Sequence, residues 1–251
     1  MQTTAAGSRA APWQALGALG LLSVIPIPRR AHGLPGALTL AAFAPAGLLL
    51  GGVLAGLEVG LAPVLPLGAR SAVLLAALVA LSGAMHVDGL MDSADGLFGG
   101  RDRDRRLEIM RDSRAGAFGV AAAIAVVLVQ YSALASLSGG RVQALVAAVG
   151  LSRAVSAFAL GIAPPARVEG LGSVFTVHRR GRGGTVALAI AAGVAVWLCG
   201  WRGLAAAGVS VAVALGVVAV FRRRVGGMTG DGFGATIELA LAGTLLCLVA
   251  R

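Results

Sequence analysis

The sequence predicts an all-α protein, a polytopic integral-membrane helical bundle with about seven transmembrane helices. Three observations carry that reading. Apolar residues (AVILMFWYC) make up 57% of the 251 residues, a further 38 are Gly, and only 13% are charged. Soluble domains hold roughly 45–50% apolar residues with Gly included, and about 25% charged. A soluble fold of this length has too little interior to hide such a surface, which excludes a soluble single-domain enzyme, a disordered chain and a disulfide scaffold. The apolar residues also fall in runs near the ~17–25 residues that a helix needs to cross the hydrocarbon layer. Finally, the arginines gather on one side of those runs.

The chain reads as one integral-membrane domain over residues 1–251, opened by an N-terminal tail of residues 1–30. The stretch 13–27 (WQALGALGLLSVIPI) is apolar but ends among Pro26 and Pro28, and no small-residue cleavage site follows it. An interfacial or re-entrant helix fits it better than a signal peptide. Spans follow at 38–61, 70–85, 116–137, 142–163, 185–201, 204–221 and 235–250, the second and the last being the shortest. Cys199 and Cys247 both lie inside apolar runs and read as small core residues rather than a disulfide or metal pair.

Orientation follows from the basic residues. All 21 are Arg, and the net charge is +10. With the N-terminus inside, 16 Arg fall in inner segments, and only Arg70, Arg141, Arg202 and Arg251 fall outside, with Arg153 inside a span. That split satisfies the positive-inside rule for a multi-pass membrane protein. A nucleic-acid surface would interleave basic and aromatic residues, but aromatics are only 4%.

The 11 acids are the informative minority. Seven lie between 88 and 112: Asp88, Asp92, Asp95, Asp102, Asp104, Glu108 and Asp112. A carboxylate in lipid costs roughly 2.5–3.5 kcal/mol even on the lenient scale, so the cluster belongs in a watery or metal-holding place. All the acids but Glu58 lie in or beside inner segments, although acids played no part in fixing the orientation. In HVDGLMDSADGLFGGR (86–101), Asp88, Asp92 and Asp95 stand at i, i+4, i+7 and stack on one helix face. No basic residue intervenes, so a cation is expected among them. All-oxygen ligands point to magnesium or manganese. His86 faces away from the triad on a continuous helix, with packing and catalysis both open to it.

Further on, EIMRDSRAGAFG (108–119) sets Glu108 and Asp112 at i, i+4 beside Arg111 and Arg114. Arginine suits phosphate oxygens, so a divalent metal with Arg at an inner membrane face suggests a phosphorylated substrate. The bland alternative pairs these Arg with the neighbouring acids or with anionic lipid. The last inner loop, GGMTGDGFGATIEL (226–239), supplies Asp231 after a glycine turn and Glu238 seven residues later. Arg153 is an intramembrane charge for which a structural pair and a ligand role are both open.

Taken in order, these strings resemble a known family. H-x-D-G-L-x-D-x-x-D-G-L, E-I-M-R-D-S-R-x-G-x-F-G, R-x-E-G-L-G (Arg167 to Gly172, including Glu169) and G-G-x-T-G-D-x-x-G-A-x-x-E-L are similar to cobalamin synthase, also called adenosylcobinamide-GDP ribazoletransferase. IPIPRR (25–30) looks like that family's opening, and the similarity runs from about residue 20 to 250. No acidic position of the family is lost; departures fall in the spans and at variable sites such as Asp102 and Asp104. The resemblance implies a magnesium-dependent phosphotransferase of vitamin B12 biosynthesis, multi-pass in the bacterial cytoplasmic (inner) membrane, with its active site on the cytoplasmic side. Such an enzyme joins adenosylcobinamide-GDP to alpha-ribazole or its 5'-phosphate, giving adenosylcobalamin or its phosphate and GMP.

On that basis Asp88, Asp92, Asp95 and Asp112 are the expected metal ligands, with Asp231 as a further one. Arg111, Arg114 and Arg167 are the expected phosphate clamps. Asp231, Glu238 and His86 are the candidate bases in that order, and Arg153, Glu169 and Glu108 are accessory. Self-association is left open. A CDP-alcohol phosphotransferase is the rival enzyme, but it expects D-G-x-x-A-R, and here DGL is followed by Met-Asp or Phe-Gly. A cation-coupled transporter is the rival of a different class. It needs acids at several depths, for which only Glu58 is available.

Overall fold

The computed structural model describes residues 4–28, 31, 36–167 and 182–250, with side chains from Trp13 onward. Eleven helices and no strands occur among the described residues: α1 (Thr4–Leu22), α2 (Ala37–Ala41), α3 (Phe43–Leu61), α4 (Leu67–Leu81), α5 (Met85–Gly99), α6 (Arg103–Ile109), α7 (Ala117–Ser136), α8 (Arg141–Ile162), α9 (Arg182–Cys199), α10 (Trp201–Val225) and α11 (Gly230–Val249). Six segments are long and apolar enough to cross a membrane: 37–61, which joins α2 to α3, and then α7, α8, α9, α10 and α11. The bent pair α4 and α5 makes a seventh if it is one span. The protein is therefore an all-α polytopic bundle. The apolar part of α1, Trp13–Leu22, is too short to span.

Helix α8 is the hub. Its Ala144, Ala147, Ala148, Gly150, Ala154 and Ala157 are all buried, and it packs on α3, α9, α10 and α11. Small residues let helix backbones approach closely without a hydrophobic drive between them. On α3, a Cβ at Gly51 would stand 2.8 Å from Val146 Cα, and one at Gly47 would stand 3.0 Å from Val149 O.

One predicted span changes character. The 70–85 run does not continue to its expected end: α4 stops at Leu81, and α5 leaves at 86° to it. Gly83 and Ala84 are both left-handed, at φ 60° and 59°, and two successive αL residues reverse the helical path. The segment after α1 braces the break, with Val24 N–H donating to Leu81 O at 2.8 Å. The acid-bearing helix thereby becomes a separate element lying against α7 and α11.

Glu58 is explained at the other end of the bundle. Its Oε1 accepts from Arg70 Nη1 at 2.7 Å and from Arg141 Nε at 2.6 Å, and Arg141 Nη2 also reaches Ser71 Oγ at 3.1 Å. This buried cluster ties α3, α4 and α8 together. The acid that a transport path would have used is neutralised by two cations.

Candidate active site

The site is built where α5 crosses α11. A Cβ on Gly89 would stand 2.9 Å from Asp231 O and 3.3 Å from Gly234 Cα, and one on Gly234 would stand 3.0 Å from His86 O. Only glycine at both positions permits that approach. The crossing brings the DGL string of α5 onto the TGDGFG string of α11. Thr229 caps α11, its Oγ1 accepting from Gly232 N–H at 3.2 Å. Asp231 thus falls in the first helical turn, where the helix dipole favours a carboxylate.

Asp88 is exposed, whereas Asp92 and Asp231 are half-buried. Asp88, Asp231 and Asp95 all repel Asp92, and Asp88 repels Asp231, which Arg167 attracts. None of the ion pairs among the described residues involves Asp88, Asp92 or Asp231. The open face of the crossing is a negative mouth. Beneath it lies a cavity of about 210 Å³, lined by Asp88, Asp231, His86 and Ser156 on its polar side and by Leu21, Leu22, Phe43, Leu160, Phe233 and Ile237 elsewhere.

A basic rim flanks the mouth. The segment after α8 and the turn before α11 are zipped together, with Ala166 N–H donating to Met228 O and Met228 N–H to Pro164 O. Arg103 clamps both, giving Nη2 to Ala166 O at 2.9 Å and Nε to Val225 O at 3.1 Å at the C-terminus of α10. Arg167 donates Nη2 to Leu107 O at 2.6 Å, and its Nε has no partner. Burial, and then the nearby Arg111 cation, lower Arg167 below the usual guanidinium value. An anion bound there would relieve both effects.

The structure sorts the remaining sequence-predicted residues. Asp88, Asp92, Asp95 and Asp112 are not gathered into one cage: among the described residues no three His, Cys, Asp or Glu side chains converge as a metal site. Asp95 is buried under the turn into α7, where Oδ2 accepts from Gly116 N–H and Oδ1 from Gly119 N–H, both at 2.8 Å. It caps a helix. Asp112 is held by Arg114, with Nη2 to Oδ2 at 2.7 Å and Nε to Oδ1 at 3.0 Å. Those N–H donors hold the Asp112 carboxyl down at about 2 and raise Arg114. The clamp role expected for Arg114 is thus occupied by its own neighbour, and Glu108 similarly pairs with Arg105 at 2.7 Å. Arg111 stays exposed.

Glu238 is buried away from the cavity, its Oε2 accepting from Gln130 Nε2 at 2.8 Å. Seven residues beyond Asp231, it lies about two turns deeper along α11. Arg153 is wholly buried; it gives Nη1 to Ser152 Oγ at 2.9 Å, while its Nε and Nη2 have no partner. Glu238 attracts it from beyond ion-pair distance. His86 is buried on α5 with Nδ1 unpaired, and instead of turning away from all the acids it lines the same cavity as Asp88 and Asp231. Glu169 lies outside the described residues. Sequence reasoning missed Gln130, although an amide within the apolar 116–137 run was a readable signal, and it missed Arg103. It also missed the wall that α1 builds with Leu21 and Leu22.

Comparison with known proteins identifies the family. A relative from Shigella dysenteriae serotype 1 (strain Sd197), named adenosylcobinamide-GDP ribazoletransferase, is 40% identical over 245 residues, covering 92% of this chain and 97% of its own. Relatives of the same name from Escherichia coli O139:H28 (strain E24377A / ETEC) and Escherichia coli (strain K12 / DH10B) are 40% identical over 245 residues and 43% identical over 188. The second of these covers 73% of this chain and 75% of its own. No solved structure matches. The profile of the cobalamin-5-phosphate synthase family matches residues 14–249, nearly the whole chain, so this membrane transferase belongs to that family.

Proposed function

We propose that the protein transfers the adenosylcobinamide-phosphate group of adenosylcobinamide-GDP to alpha-ribazole or its 5'-phosphate, releasing GMP. A ribose hydroxyl attacks the phosphorus attached to the cobinamide, that P–O bond forms, and the bond to the GMP oxygen breaks. Phosphoryl transfer of this kind asks for in-line positioning and charge neutralisation rather than covalent help. The observation that carries the reading is the Gly89–Gly234 crossing, which sets Asp88, Asp92 and Asp231 around one mouth with Arg167 beside it.

The donor set fits magnesium. Magnesium is usually bound through one or two carboxylates plus water and substrate phosphates, not through an all-protein cage. Three carboxylates near enough to repel one another, none of them in an ion pair and without a closed group of ligands, suit that mode. Asp88 and Asp92 would hold the ion, which when bound neutralises the diphosphate and the leaving oxygen. Arg167 and Arg111 orient the phosphates from the basic rim. Asp231, at the start of α11, takes the proton of the attacking hydroxyl. The basic rim and mouth share the end of the bundle that the Arg bias assigns to the cytoplasm, which supports a reaction on the cytoplasmic side of the inner membrane.

The test is GMP release from adenosylcobinamide-GDP and alpha-ribazole by purified protein in detergent, with and without magnesium. Magnesium-dependent release is expected, and no release from folded protein refutes the transfer. Asp92→Asn should lose most turnover. Near-wild-type, magnesium-dependent turnover in that variant would refute the shared-metal arrangement.

A further inference from the structure

Resting on the proposed transfer, we infer that the cavity beneath the carboxylate mouth is the subsite for the aromatic base of the acceptor nucleoside. The ligand is a flat, fused bicyclic ring of benzimidazole type, with one free ring nitrogen that meets His86. Three features of the chamber select that occupant.

The first is size. A cavity of about 150 Å³ lined by Leu, Ile and Phe is known to take a benzene ring, and this one measures about 210 Å³. A second fused ring fits the difference. A corrinoid macrocycle does not, since pockets for larger ligands begin near ~300 Å³.

The second is the wall. Leu21, Leu22, Phe43, Leu160, Phe233 and Ile237 enclose the chamber, and only His86 and Ser156 add neutral polar groups inside. Guanine carries donors and acceptors around most of its edge, and each one buried without a partner is penalised by its lost hydration. A benzimidazole carries one free nitrogen and hydrocarbon edges. The chamber is matched to the acceptor's base rather than to the guanine of the donor.

The third is what the protein leaves unsatisfied. His86 is only 5% exposed, lines the chamber, and has an Nδ1 that no protein group meets. Buried polar groups are normally paired, and a ring nitrogen of the ligand supplies the missing partner. Asp88 and Asp231 line the same chamber at its mouth. A nucleoside seated base-down therefore presents its ribose hydroxyls to the carboxylates that the transfer uses.

Equilibrium binding of 5,6-dimethylbenzimidazole to the purified full-length protein tests the subsite without turnover, beside KM values for both substrates. Leu21→Trp, on the half-buried wall of α1, fills the chamber. It should weaken binding of the base and raise the acceptor KM by about tenfold or more, with the KM for adenosylcobinamide-GDP unchanged. Leu160→Trp approaches from the opposite wall and serves if the first variant does not fold. His86→Phe keeps the ring and removes its nitrogens. It should lose the preference for dimethylbenzimidazole over dimethylindole, which lacks the free nitrogen. Unchanged base binding in a folded filling variant overturns the inference. So does a rise confined to the KM for adenosylcobinamide-GDP, or a co-purifying lipid chain that the base does not displace. Base binding by a wild type that releases no GMP keeps the subsite and sinks the transfer. GMP release with base binding insensitive to both walls does the reverse.

Discussion

Gly89→Ala is the sharpest probe of how the site is assembled. The added Cβ would stand 2.9 Å from Asp231 O, 3.1 Å from Asp231 Cα and 3.3 Å from Gly234 Cα. All three are backbone atoms that cannot rotate away. Ordinary contact begins near 3.4 Å, so α5 and α11 must part by about 0.5 Å at the carbonyl alone. Overpacking of this kind costs roughly 1–3 kcal/mol, and the better helix propensity of Ala returns up to about 1 kcal/mol. The net loss of stability is therefore small, a few degrees in apparent Tm. Catalysis is more sensitive, because a misplacement of ~1 Å can cost ~100-fold. Half that distance predicts a fall in kcat of about tenfold. GMP release and thermal unfolding in detergent measure the two quantities. Gly52→Ala is the control, since nothing lies within 4 Å of a Cβ there, and Gly234→Ala repeats the wedge from the other helix. A Gly89→Ala enzyme with wild-type kcat and Tm would refute the idea that this crossing sets the carboxylate geometry.

Other substitutions separate structural acids from chemical ones. Asp95→Ala strands the N–H groups of Gly116 and Gly119 and should cost about 1–3 kcal/mol, seen as a lowered Tm; an unchanged Tm would return Asp95 to the metal set. Glu58→Ala leaves Arg141 buried without its partner and should cost about 3–5 kcal/mol, while turnover per folded molecule persists; lost turnover at full Tm would contradict the staple. The Asp112–Arg114 pair makes a prediction about pH. A carboxyl held at about 2, below its ordinary 3.8, adds stability above the ordinary value and loses it only as pH falls through the lower one. Arg114→Ala should therefore not alter the shape of the pH–rate profile above pH 5, and a new acidic limb there would show that the pair matters to chemistry.

The spans were legible because hydrocarbon thickness dictates run length, and the observed helices overlap every predicted run. The break was not, since nothing in Gly83–Ala84 marks an Ala that adopts a left-handed conformation. The run 70–85 therefore blurred the end of one helix into the start of another. Asp88, Asp92 and Asp231 stood out in the sequence because acids in apolar sequence need a reason, and the structure brings them near one another. Asp95 shares their helical face, but its fate depends on the 116–119 turn folding back over it, a tertiary contact that spacing along α5 cannot encode. Asp112 is the opposite case. Its partner Arg114 stands two residues away, a local pairing that the sequence already allowed.

The break between α4 and α5 also accounts for how so many carboxylates are tolerated in so apolar a chain. A straight helix through 67–99 would be about 50 Å long at ~1.5 Å per residue, well beyond the ~30 Å hydrocarbon thickness. It would either carry Asp88 within the lipid or project the acids away from α11. Turning through 86° packs α5 against α7 and α11, with Gly89 on α11 and Asp88 exposed. The left-handed Ala84 costs roughly 1–2 kcal/mol. Immersing even one carboxylate in lipid costs about 2.5–3.5 kcal/mol. The strained turn thus costs less than one immersed carboxylate would, and it brings Asp88 and Asp92 toward Asp231. The break and the crossing thus act together: the first frees α5 from the line of α4, and the second sets its acids beside Asp231 where two glycines let two helices touch.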